Sequence, residues 1–343
     1  AEYDGVRVGY GKRARKVDLL PLSSARRNRL DGSGYVPVEP ATLGVHPVEV
    51  TVQDLRPLID WGPFFQSWEM RGKYPAILDD PERGAEARSL KADAEAMLDR
   101  FETEDLIHPK AVFGIWEARS DGDDVVLMEE GQEKARLHTL RQQTRKTPGK
   151  PNRALSDFVQ PEKDWVGAFA VTAGHGLKPL VEAFEADHDD YQSILAKSIA
   201  DRLAEACAEW LHGRVRKEFW GFAPDEDLSG DDLIAERFQG IRPAPGYPAQ
   251  PDHTEKWTLW ELLDAEQLTG ITLTESLAMN PASSVCGLYF AHPDADYFNL
   301  GVLGKDQVLD YAKRKGMPAE QMERWLGPVL AYDPVKKPVV KAV

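Results

Sequence analysis

The segment "FQGIRPAPGYPAQPDHTEK", residues 238–256, places Pro243, Pro245, Pro248 and Pro251 in quick succession. Proline fixes φ and lacks a backbone N–H, so this segment forms neither a helix interior nor a central strand. Two interpretations remain open from this composition. The segment is either a rigid surface connection between two elements or a preformed ligand-binding loop around Arg242 and Tyr247.

Size and charge narrow the class of protein. The chain has 343 residues with 42% hydrophobic content, enough for one large domain or two ordinary ones. Its 42 basic and 57 acidic residues give a net charge of −15, which argues against a nucleic-acid partner. Basic residues cluster near the start, in "GKRARK" and "SARRNRL", where a solvated linker is the favoured interpretation.

Two cysteines, Cys207 and Cys286, lie in apolar sequence contexts, and we expect both to be core residues. They are too few for a disulfide framework or a structural zinc site, so we expect a reducing, cytoplasmic environment. The chain opens on no signal-peptide pattern and contains no apolar run of membrane-spanning length. We therefore expect a cytoplasmic protein without a membrane partner.

Local patterns predict the first half of the fold. Residues 1–45 show little periodicity and read as linker-like chain. Residues 79–101 predict a helix capped by Asp80. Residues 111–118 and 124–129 predict a strand pair, and the continuous apolar run 165–174 predicts a buried strand.

The second half continues with a long helical region, 177–220, that has a break near "HDDY". Asp252 and Glu255 predict a capping box for the helix that follows the proline-rich segment. Residues 270–279 and 283–293 predict strands, and two amphipathic helices follow. Strands in adjacent pairs around a long helix favour a single α+β domain with a largely antiparallel sheet.

Common catalytic motifs are missing from the sequence, which has no phosphate-binding loop, G-x-S-x-G elbow or H-E-x-x-H pair. His188 stands among consecutive carboxylates in "EADHDDY". An exposed polar bend is the favoured interpretation there over a metal site, because consecutive carboxylates are not spaced to converge. We predict no metal site and no catalytic residue of the chain's own.

Several long blocks nevertheless resemble one family, the C-terminal S-adenosylmethionine-binding activation (reactivation) domain of cobalamin-dependent methionine synthase. The resemblance extends over residues 48–333 and keeps the family's order. The blocks that carry it include "LIDWGPFFQSWEMRGKYPAIL", "VGAFAVTAG", "EADHDDY", "QGIRPAPGYPAQPDHTEK", "LTESLAM" and "GLYFAHPDADYF".

The resemblance implies a C-shaped α+β domain with a bent, mainly antiparallel central sheet flanked by helices. Its implied extent is 46–335, after a linker-like segment 1–45 toward a cobalamin-binding domain and before a tail, 336–343. The implied function is to bind S-adenosylmethionine and present its methyl group to cob(I)alamin during reductive remethylation of oxidised cob(II)alamin.

The implied partners are the cobalamin-binding domain of the same methyltransferase and flavodoxin or another one-electron reductase, with the domain itself monomeric. The D-x-H-x-x-G cobalamin-ligand pattern is absent, so cobalamin is expected on another domain and this chain alone is expected to methylate nothing. Two alternatives stay open. One is a stand-alone S-adenosylmethionine-binding activator of a separate cobalamin protein, and the other is an acidic scaffold whose loop is only structural.

The resemblance also implies site residues. Arg242 would take the ligand's carboxylate, which suits a planar guanidinium. The ammonium and sulfonium call for anions, and the matching acidic residues are Asp60, Glu205 and Glu236. The residues that match the adenine-binding loop and a further contact pair are Ala244, Gly246, Tyr247, Tyr289 and Phe290.

Each acidic candidate also has a purely structural interpretation. Asp60 is suited to cap a turn, and a helical wheel places Glu205 away from the apolar stripe, as a solvated charge. Glu236 is similar. Tyr289 and Phe290 are neighbours on a predicted strand and point to opposite faces, so at most one side chain is expected to meet a ligand.

Overall fold

The computed structural model describes residues 18–32 and 34–334. In that part of the chain six strands form one sheet in which every ladder is antiparallel, with the order β4-β3-β2-β5-β8 and with β1 beside β2. The strands are β1 Gly44–Val48, β2 Lys110–Asp121, β3 Asp124–Glu129, β4 Gln132–His138, β5 Asp164–Thr172 and β8 Ser284–Tyr289. Two short strands, β6 Thr272–Leu273 and β7 Met279–Asn280, pair separately.

The length of β2 allows it to organise the sheet. Along one edge, its first half pairs with β1 and its second half pairs with β3, while β5 occupies the other edge. The predicted strand pair and the predicted buried strand are both confirmed. The β4 strand was missed because its sequence, "QEKARLH", is mostly polar and exposed.

Helices flank this sheet. They are α1 Leu22–Arg27, α2 Val52–Leu55, α3 Trp61–Ser67, α4 Gly84–Thr103, α5 Leu177–Ala186, α6 Asp190–Arg214, α7 Gly230–Ile234, α8 Glu255–Leu263, α9 Ala265–Thr269, α10 Lys305–Arg314 and α11 Ala319–Trp325. A π-helical turn, Val215–Phe219, continues α6. The expected break near "HDDY" is present between α5 and α6.

Each face of the sheet supports its own hydrophobic core. Phe113 and Ile115 of β2 pack with residues of α2, α3, α4 and α6, whereas Val112 and Trp116 pack with residues of α8, α10 and α11. Side chains alternate along a strand, so a sheet covered on both faces needs apolar residues at consecutive positions. This explains why all of β5 is buried. The expectation of an α+β domain with a mainly antiparallel sheet flanked by helices is confirmed.

Three local expectations need correction. Asp80 accepts hydrogen bonds from the amides of Glu82 and Arg83 at 2.9 Å each, so it caps the turn before α4 rather than α4 itself. Residues 270–279 form β6, a turn and β7 instead of one strand, because "TES" supplies turn residues.

The predicted capping box of α8 is wrong. The Glu255 side chain does not return to its own helix but accepts from Lys315 Nζ, at 2.5 Å, at the end of α10. Asp252 accepts from the Thr254 amide and from the same Lys315 ammonium. A long-range buried ion pair therefore replaces the local cap.

Within the expected linker-like segment 1–45, several of the described residues pack against the body. Arg26 in α1 donates to Asp123 and to Asp310, both at 2.7 Å, so the solvated interpretation of "SARRNRL" is wrong for Arg26. The Trp220 indole donates to the Val38 carbonyl at 2.9 Å. The "GKRARK" run lies outside the described residues, and a connection from 1–45 to a cobalamin-binding domain stays a prediction.

Candidate functional site

The proline-rich segment is held against the end of β8. Ile241 and Phe290 exchange backbone hydrogen bonds of 3.0 and 3.1 Å, and the Leu288 amide donates to the Pro243 carbonyl at 2.9 Å. Proline carbonyls remain good acceptors although proline lacks a donor, so the segment extends the sheet by its acceptors. The carbonyl of Pro248 likewise accepts from Leu300.

The tip of the segment is a closed turn. The Gly246 amide donates to the Gln250 carbonyl at 2.7 Å, and the Gln250 amide donates to the Tyr247 carbonyl at 2.9 Å. Gly246 has φ +99°, and a Cβ there would overlap the His253 ring. Glycine is therefore required by both conformation and space.

Two adjoining cavities open beside this loop and share three lining residues, Glu205, Glu236 and Arg242. The first has a volume of about 310 Å³, and four carboxylates and two arginines line it: Asp60, Glu205, Glu209, Glu236, Arg202 and Arg242. The second has a volume of about 470 Å³, and its further lining residues are mainly apolar, including Phe169, Pro243, Ala244, Tyr247, Pro248 and Phe298.

Separate elements supply the four carboxylates of the charged cavity. Asp60 caps α3 by accepting from the Gly62 amide at 2.9 Å, so its structural role and its place in the cavity coexist. Glu205 and Glu209 lie one turn apart on α6, and Glu236 follows α7. Burial raises the pKa of Glu205, although the Arg202 charge opposes that shift. The alternative interpretation of Glu205 as a solvated charge does not hold, because its side chain is half-buried.

Arg242 lies where the two cavities meet. Its guanidinium donates to Glu209 Oε2 at 2.8 Å and contacts His212 Nδ1 at 3.1 Å, while its backbone amide donates to the Tyr297 hydroxyl at 3.0 Å. The side chain remains 22% exposed. A guanidinium carries five N–H donors, so these two contacts leave it donors for another partner.

The predicted site residues divide into two groups. The residues that line the cavities are Asp60, Glu205, Glu236, Arg242, Ala244 and Tyr247. Gly246 lies in the loop tip itself and is not among the residues that line either cavity. Tyr289 and Phe290 are each 1% exposed and do not line them either.

The opposite orientations expected of Tyr289 and Phe290 are present. Tyr289 stacks on Phe169 and on His212, in the core on one face of the sheet. Phe290 packs near Phe158 in the other core. Their side chains support the loop from behind, so a ligand contact by either residue would have to use backbone atoms.

Several cavity or supporting residues were missed at the level of sequence, notably Arg202, Glu209, His212 and Tyr297. The sequence does contain a signal for Glu209 and His212. Glu205, Glu209 and His212 are spaced by four and three residues in "EACAEWLH", which puts them on one side of a helix. Tyr297 is 55 positions from its partner Arg242, and no local pattern predicts such a pairing.

Within the described residues, no cluster of histidine, cysteine or acidic side chains is arranged to hold a metal ion. No helix in residues 18–32 and 34–334 combines the length and apolarity required to cross a bilayer. Cys207 and Cys286 are buried and free, as expected for core residues.

Fold and site together define an α+β domain built on an antiparallel sheet, with a charged and an apolar cavity meeting at one arginine. Residues 51–316 match the family "Vitamin B12 dependent methionine synthase, activation domain". The chain belongs to this family.

A solved structure supports the assignment. The crystal structure of the MetH reactivation domain bound to AdoHcy is 50% identical in sequence, with a TM-score of 0.89. The similarity covers 92% of this chain and 99% of that chain. The resemblance seen in the sequence is thereby confirmed.

Proposed function

We propose that this chain binds S-adenosylmethionine across the two adjoining cavities. The observation that carries the proposal is the position of Arg242 between a charged and an apolar cavity. S-adenosylmethionine has the same division, with a zwitterionic amino-acid end beside a sulfonium and a flat, largely apolar adenine at the other end. The related domain was crystallised with AdoHcy, the demethylated form of this ligand.

Each chemical group of the ligand has a suitable partner. The carboxylate would pair with Arg242, and the ammonium and sulfonium would lie among Asp60, Glu205 and Glu236. The adenosine would occupy the apolar cavity against Ala244 and Tyr247, whose ring is 59% exposed. Gly246 would contribute by setting the turn, and Tyr289 and Phe290 would contribute through the backbone and as the supporting wall.

In this proposal, the domain serves the reductive remethylation of cobalamin in its enzyme. Cobalamin, held by another domain of the enzyme, would supply the nucleophile that accepts the methyl group. This chain lacks the D-x-H-x-x-G cobalamin-ligand pattern, so its own residues bind and orient the methyl donor. The sulfonium is already an activated leaving group, and no general base is needed here.

The proposal extends to the activity, oligomeric state, location and partners of the chain. The chain by itself would bind the ligand without methyltransferase activity, and it would act as a monomer in the cytoplasm. Its partners would be the cobalamin-binding domain and flavodoxin or another one-electron reductase. The gene sequence upstream tests the alternative of a stand-alone activator, because cobalamin-, folate- and homocysteine-binding segments in the same reading frame would exclude it.

Calorimetric titration of the chain with S-adenosylmethionine tests the proposed function. We expect saturable binding at one site and a rise of the melting temperature with ligand concentration. Adenosine and methionine titrated singly probe the apolar and the charged cavity, and each should bind more weakly than the whole ligand. If titration with S-adenosylmethionine gives no binding heat and no thermal stabilisation, this function is excluded.

A further inference from the structure

Arg242 is held from behind by a residue that lines neither cavity. His212, near the end of α6, is fully buried, and its Nδ1 atom lies 3.1 Å from Arg242 Nη1. A guanidinium only donates hydrogen bonds, so Nδ1 must carry the lone pair and the proton must be on Nε2. The contact therefore requires the neutral imidazole.

The surroundings of His212 keep the ring neutral and in place. Burial, together with the charges of Arg242 and Arg216, lowers the pKa of His212 well below its ordinary value. The ring stacks on Tyr289 with centroids 5.1 Å apart and meets Phe238 edge-on at 5.1 Å. These two contacts hold the plane of the imidazole beside Arg242.

Glu209 forms the second anchor of the guanidinium. It lies one helical turn before His212, accepts from Arg242 Nη2 at 2.8 Å, and has Oε1 3.6 Å from Arg216 Nη1. Arg216 is 1% exposed and donates to Glu226 at 2.8 Å. The row Arg242–Glu209–Arg216–Glu226 alternates in charge, so each buried charge has an opposite neighbour.

We propose that His212 and Glu209 are positioning residues that orient the Arg242 guanidinium toward the ligand's carboxylate, His212 without touching the ligand. The inference rests on the proposed function, because it assigns the carboxylate to Arg242. An arginine side chain has many rotamers, and holding it at two edges removes that freedom before the ligand arrives. His212 therefore matters for the carboxylate and not for the rest of the ligand.

Two ligands and two variants isolate this role. Decarboxylated S-adenosylmethionine keeps the adenosine, sulfonium and ammonium but lacks the group that Arg242 would bind. The substitution His212→Phe keeps an aromatic ring and removes the acceptor. The substitution His212→Asn removes the ring but keeps an acceptor oxygen close to the position of Nδ1.

For His212→Phe we expect S-adenosylmethionine affinity to fall about 10-fold and affinity for the decarboxylated ligand to change less than about 2-fold. His212→Asn should recover most of the lost affinity. Calorimetric titrations of the parent and both variants measure this, with melting curves to show that each is folded. Equal losses for the two ligands, no loss at all, or failure of His212→Asn to recover affinity would each overturn the inference.

If His212→Phe does not fold, Glu209→Gln takes its place. Glu209 also lines the charged cavity, so both affinities should fall, and the fall should be clearly larger for the carboxylated ligand. A non-selective loss or none would overturn the inference as well. Failure of the proposed function would give a different binding result from failure of this inference. The parent chain would then bind neither ligand, which would remove the inference together with the function on which it rests.

Discussion

Arg242 combines two properties that a lysine at this position would lack. Its planar guanidinium contacts Glu209 and His212 with different nitrogens, and further N–H groups remain for a ligand. Glu209 stabilises the charged form and raises the pKa of Arg242 even though burial lowers it. A permanent cation is thereby held at the junction of a charged and an apolar cavity.

Replacing Arg242 should remove most of the carboxylate recognition. We expect Arg242→Ala to weaken S-adenosylmethionine binding by roughly 10- to 100-fold, the loss of a charge-assisted pair worth about 1.5–3 kcal/mol. Arg237→Ala is a matched control, because Arg237 pairs with Asp232 and does not line either cavity. Titration calorimetry measures the affinity of both variants for S-adenosylmethionine. A folded Arg242→Ala that binds like the parent would show that the carboxylate lies elsewhere.

Asp164 provides a pH-dependent prediction outside the site. It is 2% exposed and accepts hydrogen bonds from the amides of Gln160 and Trp165, yet burial raises its pKa to about 6. Between its ordinary pKa of 3.8 and about 6, the folded chain holds this proton more tightly than the unfolded chain. The contribution of Asp164 to stability is therefore present at low pH and lost as pH rises through this window.

Asp164→Asn removes that titration. From pH 4 to pH 6, the free energy of unfolding of the variant should improve relative to the parent by at most about 1.4 kcal/mol per pH unit. Urea unfolding of both proteins across this range, at constant ionic strength, measures the difference. A difference that stays constant with pH, or that moves toward the parent, would contradict the assignment.

At the scale of an element, the proline-rich connection works as a rigid loop because each of its unusual residues meets a specific requirement. Pro243 and Pro248 present carbonyls to Leu288 and Leu300, and neither position needs an amide donor. Gly246 turns the chain where a side chain would overlap the His253 ring. The loop is therefore ordered by contacts with β8 and with the segment that follows it, and little ordering entropy remains to oppose ligand binding.

A pair of glycine substitutions tests whether the loop is held rigid by these contacts. Gly149 also has a positive φ, of +82°, but a Cβ there meets open space. We expect Gly149→Ala to cost about 1–2 kcal/mol from backbone strain alone. Gly246→Ala should cost clearly more, because the ring of His253 must also move, and it should weaken ligand binding. Urea unfolding and calorimetry measure both effects, and equal costs for the two variants would show that the loop tip is not tightly packed.

At the scale of the whole molecule, charge and architecture act together. The chain has a net charge of −15, and the charged cavity shares this acidic excess, with four carboxylates against two arginines. Helices from both halves of the chain bring these groups to one side of the sheet. The resulting field favours a cationic ligand over a neutral one.

The charged cavity should distinguish the methyl donor from its product. S-adenosylmethionine has a sulfonium charge that S-adenosylhomocysteine lacks, so we expect tighter binding of the former and a preference that shrinks as salt is added. Glu205→Gln should reduce the preference by about 3-fold. Glu266→Gln, an exposed residue of α9 that does not line either cavity, is the control. A preference insensitive to both salt and Glu205→Gln would argue against this electrostatic selection.

Local patterns were sufficient for the long helix α4 and for the apolar strands β2, β3 and β5. The stripe Leu90, Ala94, Met97, Leu98 and Phe101 is buried along α4, and the apolar run of β5 forms a fully buried strand between β2 and β8. Patterns failed where a distant partner competed with a local one. The Glu255 side chain pairs with Lys315 instead of capping its own helix. Arg26 pairs with Asp123 and Asp310 instead of remaining a solvated charge. An ion pair between residues far apart in sequence leaves no periodic signal.

The sequence by itself determined the strand and helix periods, the stiffness of the 238–256 connection and, through its resemblance to a family, the residues expected around a ligand. Only the tertiary structure decided that Arg242 is clamped by Glu209 and His212, that Tyr289 and Phe290 are support rather than lining, and that two cavities meet at one guanidinium. The physical reason is the range of the interactions. Propensity and turn chemistry act over a few neighbouring residues, whereas a cavity exists only where packed elements leave space between them.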